Sequence, residues 1–263
     1  MSDLILTQQR DVIFEIVLNR PDKRNAINND LFRAFDAAIM QANRIPGLRV
    51  VVIRGAGQVF SAGIDISNLL GLASTHGPHW QQRMRAITDE YQAVLTRLER
   101  LEIPTIAALH GYCLGLAFEL ALACDFRLAA EGTMLGLPET RLGMIPDVGG
   151  TTRLTRLVGP ARAKELIMTG RQFSAADAAR WGIVTDAVPL ESLPGKIEEL
   201  AAEIILAAPL AVGMVKRVID GLADIDRGLI LEGWAQSELF SSEDFLEGAQ
   251  AFMMKRPPQF KGR

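Results

Sequence analysis

TIAALHGYCLGLAFELALACDFRLA, residues 105–129, carries the pattern on which the fold turns. Its first apolar run, Thr105–Leu109, reads as a buried strand, and His110-Gly111 breaks it. The alanine–leucine stretch that follows favours a helix starting near Gly115, and Asp125–Ala129 reads as the next strand. Strand, turn, helix and strand in that order make a crossover unit, which predicts an α/β fold with a mostly parallel sheet. One residue breaks the pattern. Glu119 lies among small and apolar neighbours, where a carboxylate is costly unless it is paired, protonated or put to use.

Working outward, similar apolar runs recur at Val12–Asn19, Val50–Arg54 and Ile183–Val188. Helical spacing separates them: Leu31, Phe35, Ala38, Ile39 and Ala42 share one face. Trp80, Met84, Ile87, Tyr91, Val94, Leu95 and Leu98 share a longer one. The last third has no strand pattern. Ile197, Leu200, Ala201, Ile204 and Ile205 form one stripe, Val212, Val215, Val218, Ile219 and Leu222 another, and helical sequence continues to Met254. The expected organisation is an α/β core over 1–195 and a helical region over 196–263, with apolar faces suited to internal packing and to subunit contact.

Composition narrows the function. The 263 residues are 49% hydrophobic with a net charge of −3, enough chain for a sizeable core and too little positive charge to hold nucleic acid or an anionic membrane surface. No apolar run is long enough to span a bilayer, and the N-terminal MSDLILTQQRD lacks a signal pattern, so a cytoplasmic location is expected. Cys113 and Cys124 read as buried thiols of a reducing compartment. His76 and His79 lie in a polar loop without cysteines, so no metal site is expected; His110 reads as a structural hydrogen-bonding residue.

Three Gly/Pro-rich turns carry the candidate chemistry. A helix beginning near Gly115 presents unpaired N–H groups and a positive dipole end, suited to an oxyanion, with Glu119 close by. GQVFSAGIDISNLL (57–70) offers a second turn with a free N–H; with Val59 where a nucleophile elbow needs glycine, it is not one. MLGLPETRLGMIPDVGGTTRL (134–154) supplies Glu139 and Asp147 ahead of Gly149-Gly150, and no lysine follows the glycines as a phosphate loop requires.

Several motifs together resemble the enoyl-CoA hydratase/isomerase, or crotonase, superfamily over nearly the whole chain. They are LNRPDKRNAIN (18–28), FSAGIDI (60–66), GYCLGLAFELALACDFRLA (111–129), LPETRLGMIPDVGGTTRLTRLVG (137–159), MTGRQFSAADAARWGIV (168–184) and AFMMKRPPQFKGR (251–263). The resemblance implies a crotonase-like (ClpP/crotonase) spiral of β-β-α turns with a C-terminal helical region, assembled as a homotrimer or hexamer. It implies an acyl-CoA thioester substrate and no further cofactor, since coenzyme A belongs to the substrate. The backbone N–H groups of Ile64 and Leu116 would hold the thioester enolate. Glu119 and Glu139 match the two glutamates that hold the water added across the 2,3-double bond of a trans-2-enoyl-CoA, giving a 3-hydroxyacyl-CoA. Glu119 would activate that water and Glu139 protonate carbon two. Asp147 stands where many hydratases have glycine; with Glu139 it resembles the pair of the family's double-bond isomerases, and it also resembles the hydratase of the carnitine pathway, so it leaves both reactions open. Ala62 and Ile66 would lie against the adenine, and Phe252 and Lys255 would contact CoA from the C-terminal region. Leu116 and Ala117 replace glycines frequent in the family and would narrow the acyl pocket. The segment Leu69–Arg83 is expected to line that pocket as a mobile loop. A non-catalytic RNA-binding or scaffold role would need a basic patch or loss of the glutamates, and the sequence has neither.

Overall fold

The computed structural model describes residues 3–222 and 242–263. It opens with an antiparallel hairpin of β1 (Ile5–Arg10) and β2 (Ile13–Leu18), turning at Asp11. The remaining strands in chain order are β3 (Val50–Gly55), β4 (Thr105–Leu109), β5 (Tyr112–Leu114), β6 (Phe126–Ala130), β7 (Met134–Gly136), β8 (Phe173–Ser174) and β9 (Asp186–Val188). A six-stranded sheet runs in the order β1-β2-β3-β4-β6-β9, parallel everywhere except at β1. A small sheet holds β5, β7 and β8.

The central strands are apolar on both sides because both faces of the large sheet are covered. On one face Phe14, Ile16, Val51, Ile53, Ala107 and Leu109 meet α1 (Asn29–Ala42), α4 (Met84–Glu99) and α5 (Leu116–Leu122). On the other, Val50, Val52, Ile106, Leu128 and Ala130 meet Leu193 and Ala201 of α8 (Leu193–Leu206). The expected boundary between 195 and 196 falls inside α8. Helix α1 buries Leu31, Phe35, Ala38, Ile39 and Ala42, the face its spacing predicts, and starts where the Asn28 side chain accepts from Leu31 N–H at 2.9 Å. Such a cap contributes about 1 kcal/mol.

The three short strands of the small sheet have no counterpart in the sequence reading, and in the large sheet two strands differ from it. β1 is almost wholly exposed, so hydropathy gives it no signal; its register with β2 makes it a strand. The expected strand Ile183–Val188 begins only at Asp186, because Ile183 N–H donates to Ala178 O and its side chain enters the core from the turn.

Alternation of the two sheets gives the spiral. β3 is followed by isolated bridges at Ser61 and Ile64, then by the short helices α2 (Ile66–Leu70) and α3 (Leu72–His76) and by α4. β4 leads to β5 and α5, and β6 leads to β7 and α6 (Gly150–Thr169). Ser61 bridges Cys113 of β5, and β5 pairs with β7, so the second strand of each turn stacks on its neighbour's. The chain continues through α7 (Ala175–Arg180), α8, α9 (Pro209–Gly221) and α10 (Glu243–Met254). Among the described residues no helix is long and apolar enough to cross a membrane. Cys113 and Cys124 are buried free thiols, and His110 Nε2 lies 3.1 Å from Gly57 O.

Candidate active site

The site forms where consecutive small-sheet strands hand over to helices. At the first handover Gly63 adopts φ 94°, and a Cβ there would lie 2.5 Å from Leu114 O and 3.6 Å from Gly115 Cα. The second handover is Gly115 itself, with φ 54°. A Cβ on Gly115 would meet Glu139 Oε1 at 2.9 Å, and Glu139 belongs to the third handover, the tight helical turn Pro138–Leu142. Glycine at 63 lets the first two backbones meet, and glycine at 115 leaves room for the Glu139 side chain.

Each of the first two turns leaves an amide unclaimed. Leu116 opens α5, so its N–H has no intrahelical acceptor. Around Ile64, Gly63 O and Asp65 N–H both bond to Ile27, while the N–H of Ile64 between them is passed over. The two amides are unpaired donors among the described residues.

The acids lie close to these turns. Glu119 is 2% exposed, and its Oε1 accepts from Val148 N–H at 2.9 Å and Gly150 N–H at 2.8 Å. Burial, countered by the Gly150 N–H bond and reinforced by Glu139 and Asp147, pushes its carboxyl up to about 8. Burial also raises Glu139 above the usual carboxylate range, with Asp147 adding to the rise. Its Oε2 is buried without a hydrogen-bond partner. Two acids in this state hold a proton near neutral pH, and the proton belongs to the pair. Asp147 Oδ2 accepts from Thr88 Oγ1 at 2.7 Å, and Gln92 Nε2 donates to Asp147 O at 2.6 Å.

Ile64, Leu116, Glu119, Glu139 and Asp147, read from separate stretches of sequence, line one cavity of about 410 Å3. The proposed CoA contacts do not line it. Ala62 N–H donates to Arg24 O, Ile66 is 51% exposed, and Lys255 is exposed just beyond α10. The side chain of Phe252 lies outside the described residues. The segment expected to line the pocket contributes Trp80.

Sequence reasoning missed the polar part of the wall. Asn29 Oδ1 accepts from Tyr91 Oη–H and from Asn68 Nδ2 at 3.0 Å, and all three line the cavity with Thr88. The stripe from Trp80 to Leu98 divides here: Trp80, Met84, Ile87 and Tyr91 face the cavity, while Val94, Leu95 and Leu98 are buried in the core. The signal was Thr88, placed one turn from Met84 and Tyr91 on the same helix face.

The chain matches known proteins over nearly its whole length. The family model for enoyl-CoA hydratase/isomerase matches residues 8–263. A carnitinyl-CoA dehydratase of Salmonella paratyphi A is 38% identical over the full length of both chains. Among solved structures, an enoyl-CoA hydratase from Bacillus anthracis is 38% identical with a TM-score of 0.92, covering 99% of this chain and 100% of that one. An enoyl-CoA hydratase/carnithine racemase from Magnetospirillum magneticum is 29% identical with a TM-score of 0.85, covering 100% and 97%.

Proposed function

Because the chain belongs to the enoyl-CoA hydratase/isomerase family, we propose that it adds water across the double bond of a trans-2-enoyl-CoA to give a 3-hydroxyacyl-CoA. The reverse dehydration uses the same groups. One observation carries this reading: the buried Glu119 and half-buried Glu139 share a cavity with two amides that have no partner among the described residues.

The thioester oxygen accepts from Ile64 and Leu116 N–H, and these donors bond most strongly when the carbonyl becomes an enolate. Water attacks carbon three and gives a proton to Glu119. The C2–C3 π electrons move onto the thioester as enolate, which then takes a proton from Glu139 at carbon two. Water's two hydrogens and oxygen are thereby accounted for, and the pair is restored when one proton passes from Glu119 to Glu139. In the reacting microstate the pair's proton sits on Glu139, while the two backbone N–H bonds favour the charged form of Glu119 and leave its Oε2 for the water. Glu139 Oε2, with no partner, is the atom to carry the donated proton. Ala62 and Ile66 contact the adenine of CoA, Phe252 and Lys255 reach it from the C-terminal region, and the working assembly is a trimer or hexamer. No cofactor beyond the substrate's own CoA takes part.

Asp147 supports a second reading, since its carboxyl lines the same cavity and could move a proton along the acyl chain with Glu139. The two separate on one experiment. Crotonyl-CoA and a 3-enoyl-CoA are incubated separately while the conjugated thioester absorbance is followed. Loss of the crotonyl absorbance with formation of 3-hydroxybutyryl-CoA supports hydration. A gain of conjugation from the 3-enoyl compound with no water uptake from either refutes it in favour of the isomerase.

A further inference from the structure

The two unclaimed amides are held differently. Leu116 N–H is aimed by the helix it opens, whereas Ile64 N–H sits in a loop and needs another device to fix its direction. A trans peptide is planar, so Ile64 N–H points opposite to Gly63 C=O. That carbonyl accepts from Ile27 N–H at 2.8 Å, and the next amide, Asp65 N–H, donates to Ile27 O at 2.8 Å. The backbone of Ile27 therefore grips the peptide units on either side and leaves Ile64 N–H turned the other way.

Asn25 holds the gripping segment. It is fully buried with a left-handed φ of 53°, a conformation asparagine adopts more readily than most residues. Its Nδ2 lies 2.8, 2.9 and 3.2 Å from the carbonyl oxygens of Ala56, Val59 and Phe60, and its Oδ1 accepts from Arg20 N–H at 2.8 Å. Its own carbonyl accepts from Ser61 Oγ at 2.7 Å, and Ser61 Oγ accepts from Gly63 N–H at 3.1 Å. Ser61 is also fully buried. The hydrogen-bonded path Asn25–Ser61–Gly63 thus ends on the residue whose carbonyl shares a peptide plane with Ile64 N–H. Neither Asn25 nor Ser61 lines the cavity.

We propose that Asn25 and Ser61 are positioning residues for the Ile64 oxyanion donor, acting through the Gly63–Ile64 peptide and touching neither the substrate nor the acids. The inference rests on the reading of Ile64 N–H as a partner of the thioester oxygen. Every polar atom of the path is matched, so the path is rigid. A donor misdirected by a few tenths of an ångström loses most in the transition state, where the oxygen is most charged.

Ser61→Ala is the decisive variant, because Asn25→Ala would strand three buried carbonyls and risk the fold. Two readouts are taken on the purified full-length protein: kcat and KM with crotonyl-CoA, and the absorption band of bound 4-aminocinnamoyl-CoA. That band moves to the red as its carbonyl oxygen is pulled by hydrogen-bond donors. In Ser61→Ala, kcat should fall about 10- to 100-fold with KM changed less than about threefold, the signature of an interaction made mainly in the transition state. The red shift should shrink in parallel, and Ser61→Thr, which restores the hydroxyl, should recover both. An unchanged red shift in Ser61→Ala overturns the inference, even if stability and kcat fall. Wild-type protein that neither hydrates crotonyl-CoA nor shifts the band removes the proposed function itself, a result distinct from failure of the Ser61 variant alone.

Discussion

Replacing Glu119 by glutamine should stabilise the free protein, and increasingly so as the pH rises. Burial lifts the Glu119 carboxyl from its ordinary 4.5 to about 8. Between those values the folded chain keeps a proton that the unfolded chain has released, so stability is fully present below about pH 4.5 and declines as the pH rises towards about 8. Above that point both states are ionised and the loss is complete. A gap that wide is worth about 5 kcal/mol as an upper bound, and relaxation of the site and water entry bring it to about 3. Glutamine keeps an Oε1 to accept from Val148 and Gly150 N–H and has no proton to lose. Glu139 remains in both proteins and its titration is coupled to Glu119, so the difference between them reads the pair with and without its Glu119 member. Thermal unfolding followed by circular dichroism near pH 5, 7 and 9 measures the effect. The two melting temperatures should nearly coincide at the acid end, with the variant ahead by roughly 5 °C at the alkaline end for a chain of this size. Parallel curves, with a constant offset across that range, would refute the claim that Glu119 is a buried acid held at a stability cost.

Glu139→Gln should lower turnover of crotonyl-CoA by about 10²- to 10⁴-fold while calorimetric binding of a saturated acyl-CoA persists, since the lost group transfers a proton and binds nothing else. The pH–rate profile should be bell-shaped, because turnover needs one acid ionised and one protonated: the alkaline limb falls through about 8, where the pair gives up its last proton, and the acid limb falls where it takes a second. Gly115→Ala should cost about 1–3 kcal/mol of stability for its φ of 54° and ψ of −130°, a region side-chain-bearing residues avoid, read by denaturant unfolding, and should also lower kcat, because the new methyl would lie 2.9 Å from Glu139 Oε1 and push that side chain off its position.

The parts of this molecule legible in the sequence are those whose physics is local. The strand–turn–helix of 105–129 shows in its hydropathy, and the apolar face of α1 shows in its spacing. Glu119 announced itself because its immediate neighbours could not solvate it. What the sequence hid depends on contacts between distant segments. β1 is a strand only because β2 is beside it. Ile183 and Val184 look like strand residues and are core plugs, since the chain there bonds back to α7 before it reaches the sheet. Tyr91 reads as part of an apolar stripe until Asn29, from another helix, is found against its hydroxyl. Asn25 sits in a polar run, RPDKRNAIN, that looks like any solvated turn, yet it is fully buried. Its role depends on carbonyls some thirty residues away in the chain, which local pattern does not register.

The unmatched groups of the site are of both kinds, and this constrains what the cavity is for. A pair of unclaimed N–H donors, on Ile64 and Leu116, and an unclaimed acceptor, Glu139 Oε2, share one enclosure. Proteins satisfy nearly all their buried polar groups, and a donor and an acceptor free to move would find each other. Here they are held apart. The amides are fixed by a helix start and by the Ile27 grip, while Glu139 is carried on the tight helical turn Pro138–Leu142 and its partner Glu119 is fixed by two backbone bonds. Fixing them unpaired costs stability, which evolution retains where a ligand supplies the missing partners. A thioester carbonyl accepts from both amides without offering them a proton, and a water molecule donates to one carboxylate while accepting from a protonated other. The amides ask for an acceptor and the carboxylate oxygen for a donor. On the proposed reading a substrate and a water together meet these demands, and the step from one to the other, water to carbon three and proton to carbon two, moves charge towards the fixed amides.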